Sequence, residues 1–588
     1  MANIMSLKTL RNKPSRNGFD LSFKKNFTAK VGELLPVMCK EVLPGDSFKI
    51  NLNAFTRTQP INTAAYARMK EYYDFFFVPY ELLWNKAFTV LTQMYDNPQH
   101  AVSLDPTQNF VLSGEMPYTS CHSIASYLHT LTFSEGSENF AFNYFGLNRA
   151  PLTVKLLEYL GYGNFEHYIT SPENTWESQP LMADLNLNVF GLAAYQKIYA
   201  DYFRDAQWER ISPSTFNFDY LNGQSMDIIN YINDDFYKNY NLFDLRYCNW
   251  QKDLFHGVLP RQQYGDVATV NVDFNGGWLR ANEMYQTPRT TPEATVEFNS
   301  HSVRLNTAGN VGAGQAESNI SSSFSILALR QAEFLQKWKE IAQSANKDYK
   351  DQIEKHWGVS VGDAYSEMCQ YLGGISSSID INEVVNTNIT GSNAADIAGK
   401  GVGVNNGVIN FNSDGKYGIL MCIYHCLPMI DYTTDLINPA LAKVNATDYA
   451  IPEFDRVGMQ AVPLVHLMNP LQSKANAPYL NLGYAPRYID YKTDVDSSVG
   501  GFKRTLKSWV ISYDNQSVID QFGNLDPTNE PSPSTAPMNY TYFKVNPNSV
   551  DPIFAVEANS SVDTDQLLCS SFFDVKVVRN LDTDGLPY

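Results

Sequence analysis

The sequence predicts a mainly β protein, in which one strand-built domain carries large insertions, and three observations favour this fold class. The first and the last periodic segments both alternate apolar and polar residues, as strands with one buried face do. Aromatic residues make up 13% of the 588 residues, with 36 Tyr and 34 Phe, and these residues favour strands and contact surfaces. Stretches rich in Gly, Asn, Ser and Pro around 273–323, 386–415 and 523–551 predict long loops between the elements.

Three segments carry the strand prediction in chain order. Residues 48–54 follow a Pro-Gly-Asp turn and place Phe, Ile, Leu and Ala on one side, with Lys and Asn on the other. Residues 72–78 are nearly continuously apolar and end at Pro79, which is typical of a strand covered on both faces. Residues 573–577 alternate again. Strands near both ends of the chain are expected if the termini close one sandwich.

Three helices are predicted between these strands. The first spans 151–160, with Pro at its start and Gly161 after its end. The second runs from about Gly191 to Asp205. The third and strongest spans about 325–345, and we expect its apolar stripe to pack in the protein core. The stripe consists of Leu327, Phe334, Leu335, Trp338, Ile341 and Ala342.

The formal net charge of −18 argues against a general nucleic-acid binder, but the charge is unevenly distributed. The first 30 residues carry seven basic side chains against the single acid Asp20. Two interpretations fit this segment: a basic arm that faces polyphosphate, or a solvated, disordered terminus with incidental lysines. The basic residues are Lys8, Arg11, Lys13, Arg16, Lys24, Lys25 and Lys30.

The seven cysteines are thinly spread, which indicates small buried hydrophobic residues in a reducing compartment rather than a disulfide framework. The opening residues contain no apolar signal-peptide core, and no run approaches the ~18 apolar residues of a membrane helix. We therefore expect a protein that is made and folded in the cytoplasm, without membrane insertion.

No motif predicts an active site, a metal site or a cofactor. The glycines at 309, 312 and 314 lie in a Ser- and Asn-rich stretch without the strand and helix that a phosphate-binding loop needs. Cys422 and His425 belong to an apolar run in which strand geometry sends them to opposite faces, so buried strand residues are expected. No carboxylate pair stands out for a glycoside hydrolase. We expect no catalytic residues, no metal and no enzyme activity.

Short blocks spread over nearly the whole chain carry a family resemblance, and their shared order is more specific than any one of them. The sequence resembles the major capsid proteins of microviruses, the small tailless single-stranded DNA bacteriophages, and in particular the gokushovirus-like branch. Arg261 departs from the Trp that relatives often carry there. The blocks include Gly32–Val37, Glu41–Phe48, Asp74–Pro79, Ala194–Asp205, Leu245–Gln263, Leu329–Ala332, Pro452–Asp455, Gly483–Tyr488 and Val575–Arg579.

The resemblance implies an eight-stranded antiparallel viral jelly roll, a β-sandwich with large loop and helical insertions. It also implies that many copies self-assemble into a T=1 icosahedral virion shell around a circular single-stranded DNA genome. The expected partners are copies of the chain, the packaged DNA, other phage structural or scaffolding proteins and a bacterial surface receptor. Residues 1–30 would form an interior-facing arm and 31–588 a single capsid domain, with 266–323 as a candidate surface protrusion that contacts the receptor.

Under this interpretation, six basic residues contact DNA phosphates without sequence preference, and Phe19, Phe23 and Phe27 either stack on bases or anchor the arm. A cell-surface glycan-binding protein without catalytic activity shares the Tyr- and Asn-rich acidic composition and is the main alternative. A capsid protein of another jelly-roll lineage is a further one. The proposed DNA-contacting residues are Lys8, Arg11, Lys13, Arg16, Lys24 and Lys25.

Overall fold

The computed structural model describes most of the chain, and it divides into two compact units. One unit combines Met1–Pro260 with Glu367–Tyr588, and the other is Arg261–Ser366. The second unit therefore contains the whole stretch proposed as a surface protrusion. The described residues are 14–61, 65–92, 116–133, 141–178, 184–221, 242–263, 268, 295–299, 302–306, 326–385, 397–468, 481–515, 517–518, 540–554 and 565–583.

Strands dominate the first unit, which confirms the mainly β prediction. Within the described residues the strands are β1 (Asn17–Asp20), β2 (Phe23–Ala29), β3 (Leu35–Val42), β4 (Ser47–Thr58), β5 (Met69–Pro79), β6 (Tyr118–Ser120), β7 (Asn186–Asn188), β8 (Thr295–Asn299), β9 (Ser302–Asn306), β10 (Gln370–Val385), β11 (Ile397–Asn412), β12 (Gly418–Pro428), β13 (Asp431–Tyr432), β14 (Met459–Pro463), β15 (Asn481–Pro486), β16 (Ser512–Tyr513) and β17 (Leu567–Arg579).

One large antiparallel sheet organises this unit. Its strand order is β1-β17-β4-β11-β10-β5-β12-β3, and β2 also pairs with β17. The sheet curls so that its two halves face each other across the core. Tyr73 of β5 hydrogen bonds Ser571 of β17 through their hydroxyls at 2.9 Å, and the rings of Phe77 and Phe411 pack with centroids 4.7 Å apart.

The three strands predicted from alternation or apolar runs are confirmed. Strand β4 buries Phe48, Ile50, Leu52 and Ala54 and leaves the residues between them more accessible. The last five residues of β5 are all buried, as expected for a strand covered on both faces. Strand β17 alternates buried and accessible residues along most of its length. The sequence pattern therefore identifies which face of each strand meets the core.

Strand β11 corrects the expectation of a long loop across 386–415, although residues 386–396 lie outside the described part. Its glycines predicted turns, but several of them lie in the strand because the opposing core side chains leave no room for a Cβ. A Cβ on Gly407 would lie 2.6 Å from Cδ1 of Ile375. Close approach of another side chain is the second reason, besides a turn, for glycine in a strand.

Helices pack against one part of the large sheet, namely its strands β3, β5 and β12. The described α-helices are α1 (Tyr80–Leu83), α2 (Ala87–Thr92), α3 (Cys121–Phe133), α4 (Arg149–Leu160), α5 (His167–Thr170), α6 (Phe190–Ile198), α7 (Ile326–Ser344) and α8 (Tyr349–Trp357). Helix α4 confirms the first helix prediction: the Asn148 side chain accepts the Ala150 N–H, and Gly161 takes a left-handed conformation at the end. Helix α6 and the π-helical turn Tyr199–Phe203 confirm the second.

The second unit contains α7, α8 and the antiparallel pair β8–β9. Helix α7 matches the third predicted helix closely. The expectation that its apolar stripe packs in the core is wrong, because no residue of α7 is buried. Its sequence predicted the helix correctly, but Leu327, Phe334, Leu335 and Trp338 stay 45–65% exposed. The Trp338 ring meets His356 of α8 at a centroid distance of 5.9 Å.

A second, smaller core lies in the first unit, around Tyr432, Leu464, Leu482 and Tyr542. The short pairs β13–β16 and β14–β15 lie beside it. Among the described residues, no helix has the length and apolar character to cross a membrane.

Candidate nucleic-acid interface

Three of the six residues proposed to contact DNA lie in the described part of the chain. Arg16 precedes β1, and Lys24 and Lys25 lie in β2. The other three, Lys8, Arg11 and Lys13, lie outside the described residues. From residue 17 onward the basic segment is built into the large sheet, because β1 and β2 both pair with β17.

Strand geometry separates the two neighbouring lysines of β2. Lys24 is exposed, whereas Lys25 is partly buried and points to the other face. The Lys25 Nζ donates a hydrogen bond to the Tyr159 carbonyl oxygen at 2.8 Å and lies 5.1 Å from the centroid of that ring. Burial lowers the pKa of Lys25. The ammonium of Lys25 is thus held by α4, while that of Lys24 extends into solvent.

Arg16 is exposed but already has partners in the chain. Its guanidinium donates to the Gly45 carbonyl oxygen at 3.3 Å and to Ser47 Oγ at 3.0 Å. These bonds hold the residue beside the turn that precedes β4. An exposed guanidinium has five N–H donors, so donors remain for a phosphate in this arrangement.

The three phenylalanines of the segment anchor it to the sheet. Phe23 stacks on Phe573 with ring centroids 5.0 Å apart. Phe27 is buried and meets Tyr424 edge-on at 5.1 Å. Phe19 packs partly buried against the same core. Of the two roles predicted for these side chains, the structure supports anchoring.

Sequence reasoning missed a wider surface to which Lys24 belongs. We call it the open sheet face, and it consists of the outward-pointing side chains of β2, β17, β4 and β11. No described helix of the first unit packs on it, whereas α4 and α6 pack against β3, β5 and β12 of the other half. Its members include Lys24, Asn26, Thr28, Lys49, Asn51, Asn53, Phe55, Arg57, Val404, Asn406, Val408, Asn410, Leu568, Ser570, Phe572, Asp574, Lys576 and Val578.

The open sheet face interleaves cations with exposed aromatic rings. Phe55 and Phe572 are 37% and 43% exposed, and the Arg57 guanidinium carbon lies 5.0 Å from the Phe55 ring centroid. Lys24 is opposite Phe572 in the strand register. Within the described residues, Lys24, Lys49 and Arg57 form no ion pair, whereas Lys576 pairs with Asp20 and Asp574.

The signal for this face was present in the sequence. The polar positions of 47–58 alternate with the core residues and include Lys49 and Arg57. Period-two alternation assigns them to one face of one strand. It gives no information about which other strands lie alongside, so the cluster with Phe572 and Lys24 could not be assembled without the strand pairing.

The Cys422 and His425 pair behaves as predicted for buried strand residues. Both lie in β12 and are buried. The His425 ring stacks on Tyr72 at 4.8 Å, and burial lowers its pKa to about 3, so the ring is neutral. Among the described residues, no group of three or more His, Cys, Asp or Glu side chains is arranged to hold a metal ion.

Comparison with known proteins decides the family. The family described as "Capsid protein (F protein)" matches residues 8–142 and 170–588, which is nearly the whole chain. The chain belongs to this phage capsid protein family. The unmatched interval, 143–169, contains α4, which holds Lys25.

Two relatives extend the similarity over the full length of the capsid protein. The chain is 24% identical to "Capsid protein VP1" of Chlamydia phage 1, over 97% of this chain and 95% of that protein. It is 22% identical to "Capsid protein VP1" of Bdellovibrio phage phiMH2K, over 100% of this chain and 97% of that protein. The predicted resemblance to microvirus capsid proteins is confirmed, and the role as a major structural capsid protein is favoured over a glycan-binding surface protein.

Proposed function

We propose that this capsid protein self-assembles into a T=1 icosahedral virion shell that encloses a circular single-stranded DNA genome. The observation that carries the proposal is the capsid-family match along almost the entire chain. The role is structural and not catalytic. Shells form in the cytoplasm of the bacterial host with the help of other phage structural or scaffolding proteins, and the protein resides in the virion.

The shell is built from an eight-stranded jelly roll, for which the strand order provides the support. Leaving aside β1, the eight long strands in chain order are β2, β3, β4, β5, β10, β11, β12 and β17. Their pairing groups the first, eighth, third and sixth strands in one half and the second, seventh, fourth and fifth in the other. This arrangement corresponds to two Greek keys folded into facing sheets.

The open sheet face lines the shell interior and contacts DNA. Exposed Lys24, Lys49 and Arg57 neutralise phosphates, and Phe55 and Phe572 provide surfaces on which bases stack. Lys8, Arg11 and Lys13 of the amino-terminal arm and Arg16 add further cations. Lys25 contributes to anchoring β2 rather than to DNA contact, because its ammonium already has a partner. Such contacts carry no sequence preference, because the inner surface of a shell must meet every part of the packaged genome.

A matched lysine pair tests this interior surface. We expect Lys24→Ala to weaken binding of an oligodeoxythymidine to the purified full-length chain and to reduce the log–log salt slope by about 0.7. Lys25→Met, which keeps the aliphatic stem, should leave both quantities unchanged. Fluorescence anisotropy across a salt series measures them. Equal slopes for wild type and Lys24→Ala, or an equal loss in both variants, would contradict the assignment.

The segment 266–323 forms a surface protrusion that contacts the bacterial receptor. Its described parts include the β8–β9 hairpin, an element that stands outside the large sheet. We expect deletion of 266–323 to spare particle assembly and to abolish attachment to host cells. Sedimentation of the particles and an adsorption assay measure the two effects. Loss of assembly in the deletion variant would count against a purely external role for this segment.

A further inference from the structure

Helix α7 exposes several large apolar side chains on one face, which is uncommon in a monomeric soluble protein. We define the α7 stripe as Leu327, Phe334, Leu335 and Trp338, which recur at helical spacing on one side of the helix. Their side chains are 65%, 65%, 45% and 55% exposed, respectively. Scattered surface hydrophobic residues need no explanation, but four large ones on one helix face form a contiguous patch.

Two polar contacts of α7 within its unit lie on its other side, whereas on the stripe the Trp338 ring packs against His356 of α8 with centroids 5.9 Å apart. Gln336 Nε2 donates to Gln263 Oε1 at 3.3 Å, and Gln343 Nε2 donates to the Arg261 carbonyl oxygen at 3.1 Å. Gln336 and Gln343 are seven residues apart and so share a face, which lies roughly opposite the α7 stripe at 3.6 residues per turn. The helix is therefore held within its unit by polar contacts, while its apolar side points away from them.

The size of the patch fits a stable protein interface. The four side chains expose on the order of 500 Å² of mainly apolar area, near the upper end of what monomers leave open. A standard interface buries about 800 Å² on each partner, and its core is about 65% apolar. The α7 stripe supplies the apolar share of such an interface.

The charges beside the stripe identify the kind of partner. Arg330, Lys337 and Lys339 alternate along α7 with Glu333 and Glu340, so the helix carries both signs in nearly equal number. A nucleic acid would require an excess of cations, whereas a mixed surface can meet its own copy with opposite charges opposed. We infer that the α7 stripe packs against a second copy of this chain and forms one of the subunit contacts. This inference rests on the proposed shell function and names one surface that builds the shell.

Two leucines of α7 provide a matched test. Leu327 belongs to the stripe, whereas Leu329 is 49% exposed and lies on nearly the opposite side of the helix, because residues two apart do not share a face. A charge buried without a partner at an interface is strongly unfavourable. We expect Leu327→Glu to reduce the assembled fraction of the full-length protein about tenfold, because the buried charge weakens every copy of this subunit contact. Leu329→Glu should assemble like wild type.

Sedimentation velocity gives the assembled fraction, and thermal unfolding of the unassembled chain reports whether each variant folds. Unchanged Tm with loss of assembly in Leu327→Glu alone supports the inference. Normal assembly of Leu327→Glu, equal loss in both variants, or a lower Tm for Leu327→Glu alone would overturn it; the last result would show that the chain covers its own stripe. If wild type itself fails to assemble, the proposed shell function fails, and this outcome is distinct from the others.

Discussion

Asp74 shows how the large sheet holds a partly buried carboxyl group without a cation. It accepts a hydrogen bond from the Tyr371 hydroxyl at 3.0 Å, and burial raises its pKa to about 6. His425 Nδ1 lies 3.7 Å from Asp74 Oδ2, but the His425 ring is neutral because burial lowers its pKa to about 3. A carboxyl whose pKa is raised by folding stabilises the fold below its unfolded-state pKa, and this contribution is lost as the pH rises through about 6.

Replacing Asp74 by Asn should therefore flatten the pH dependence of stability. We expect the free energy of unfolding of wild type to fall between about pH 4 and pH 7 by more than that of Asp74→Asn, because the amide does not ionise. Urea unfolding of the unassembled full-length protein at stepped pH measures the difference. Asp582→Asn, at an exposed position, serves as the control, and an identical slope in wild type and Asp74→Asn would refute the expectation.

The two adjacent lysines of β2 show what a sequence can and cannot predict about a site residue. The basic character of both positions was evident from the sequence, but their placement on opposite faces follows only once Phe23–Ala29 is known to be a strand. That Lys25 meets a carbonyl oxygen could not be predicted, because Tyr159 belongs to a helix more than a hundred residues away. Local patterns determine the direction of a side chain, and non-local packing determines its partner.

Several glycines of strand β11 are required because side chains of neighbouring strands leave no room for a Cβ. Gly407→Ala should destabilise the protein by about 1–3 kcal/mol, because the new Cβ would collide with Ile375 in a packed core. Gly18→Ala is the control, since Gly18 also lies in a strand but a Cβ added there would meet nothing within 4 Å. Chemical denaturation of both variants gives the free energies. If the Gly407→Ala protein were as stable as Gly18→Ala, the Ile375 side chain could move away from residue 407 without loss of stability, and the expectation would be wrong.

Elements with strong periodicity were predicted well, and those defined by their neighbours were not. Strands β4, β5 and β17 and helices α4, α6 and α7 follow from alternation, helical spacing and end signals. Strand β11 was interpreted as a loop, because glycine usually marks a turn and the opposing Ile375 is not visible in the local sequence. The burial of α7 was also predicted incorrectly, since an apolar stripe indicates that something covers it but not which chain does.

At the scale of the whole molecule, the order of short motifs predicted the family, whereas the sheet order lay beyond local reasoning. The first and last strands were expected to close one sandwich, and β17 indeed pairs with β1, β2 and β4. Strands that are hundreds of residues apart in the chain pair with one another, and no local pattern in the sequence indicates which strands become neighbours. The open sheet face is a product of this pairing, which is why its members escaped the sequence prediction.

The mass of the purified, expressed full-length protein tests whether copies of this chain assemble with one another. We expect closed particles of about 4 MDa, as about sixty copies of a 66.3 kDa chain would form under icosahedral symmetry, with single-stranded DNA inside when they are isolated from infected cells. A protein that sediments only as a 66.3 kDa monomer, across protein concentrations and in the presence of single-stranded DNA and its phage partners, would contradict this expectation.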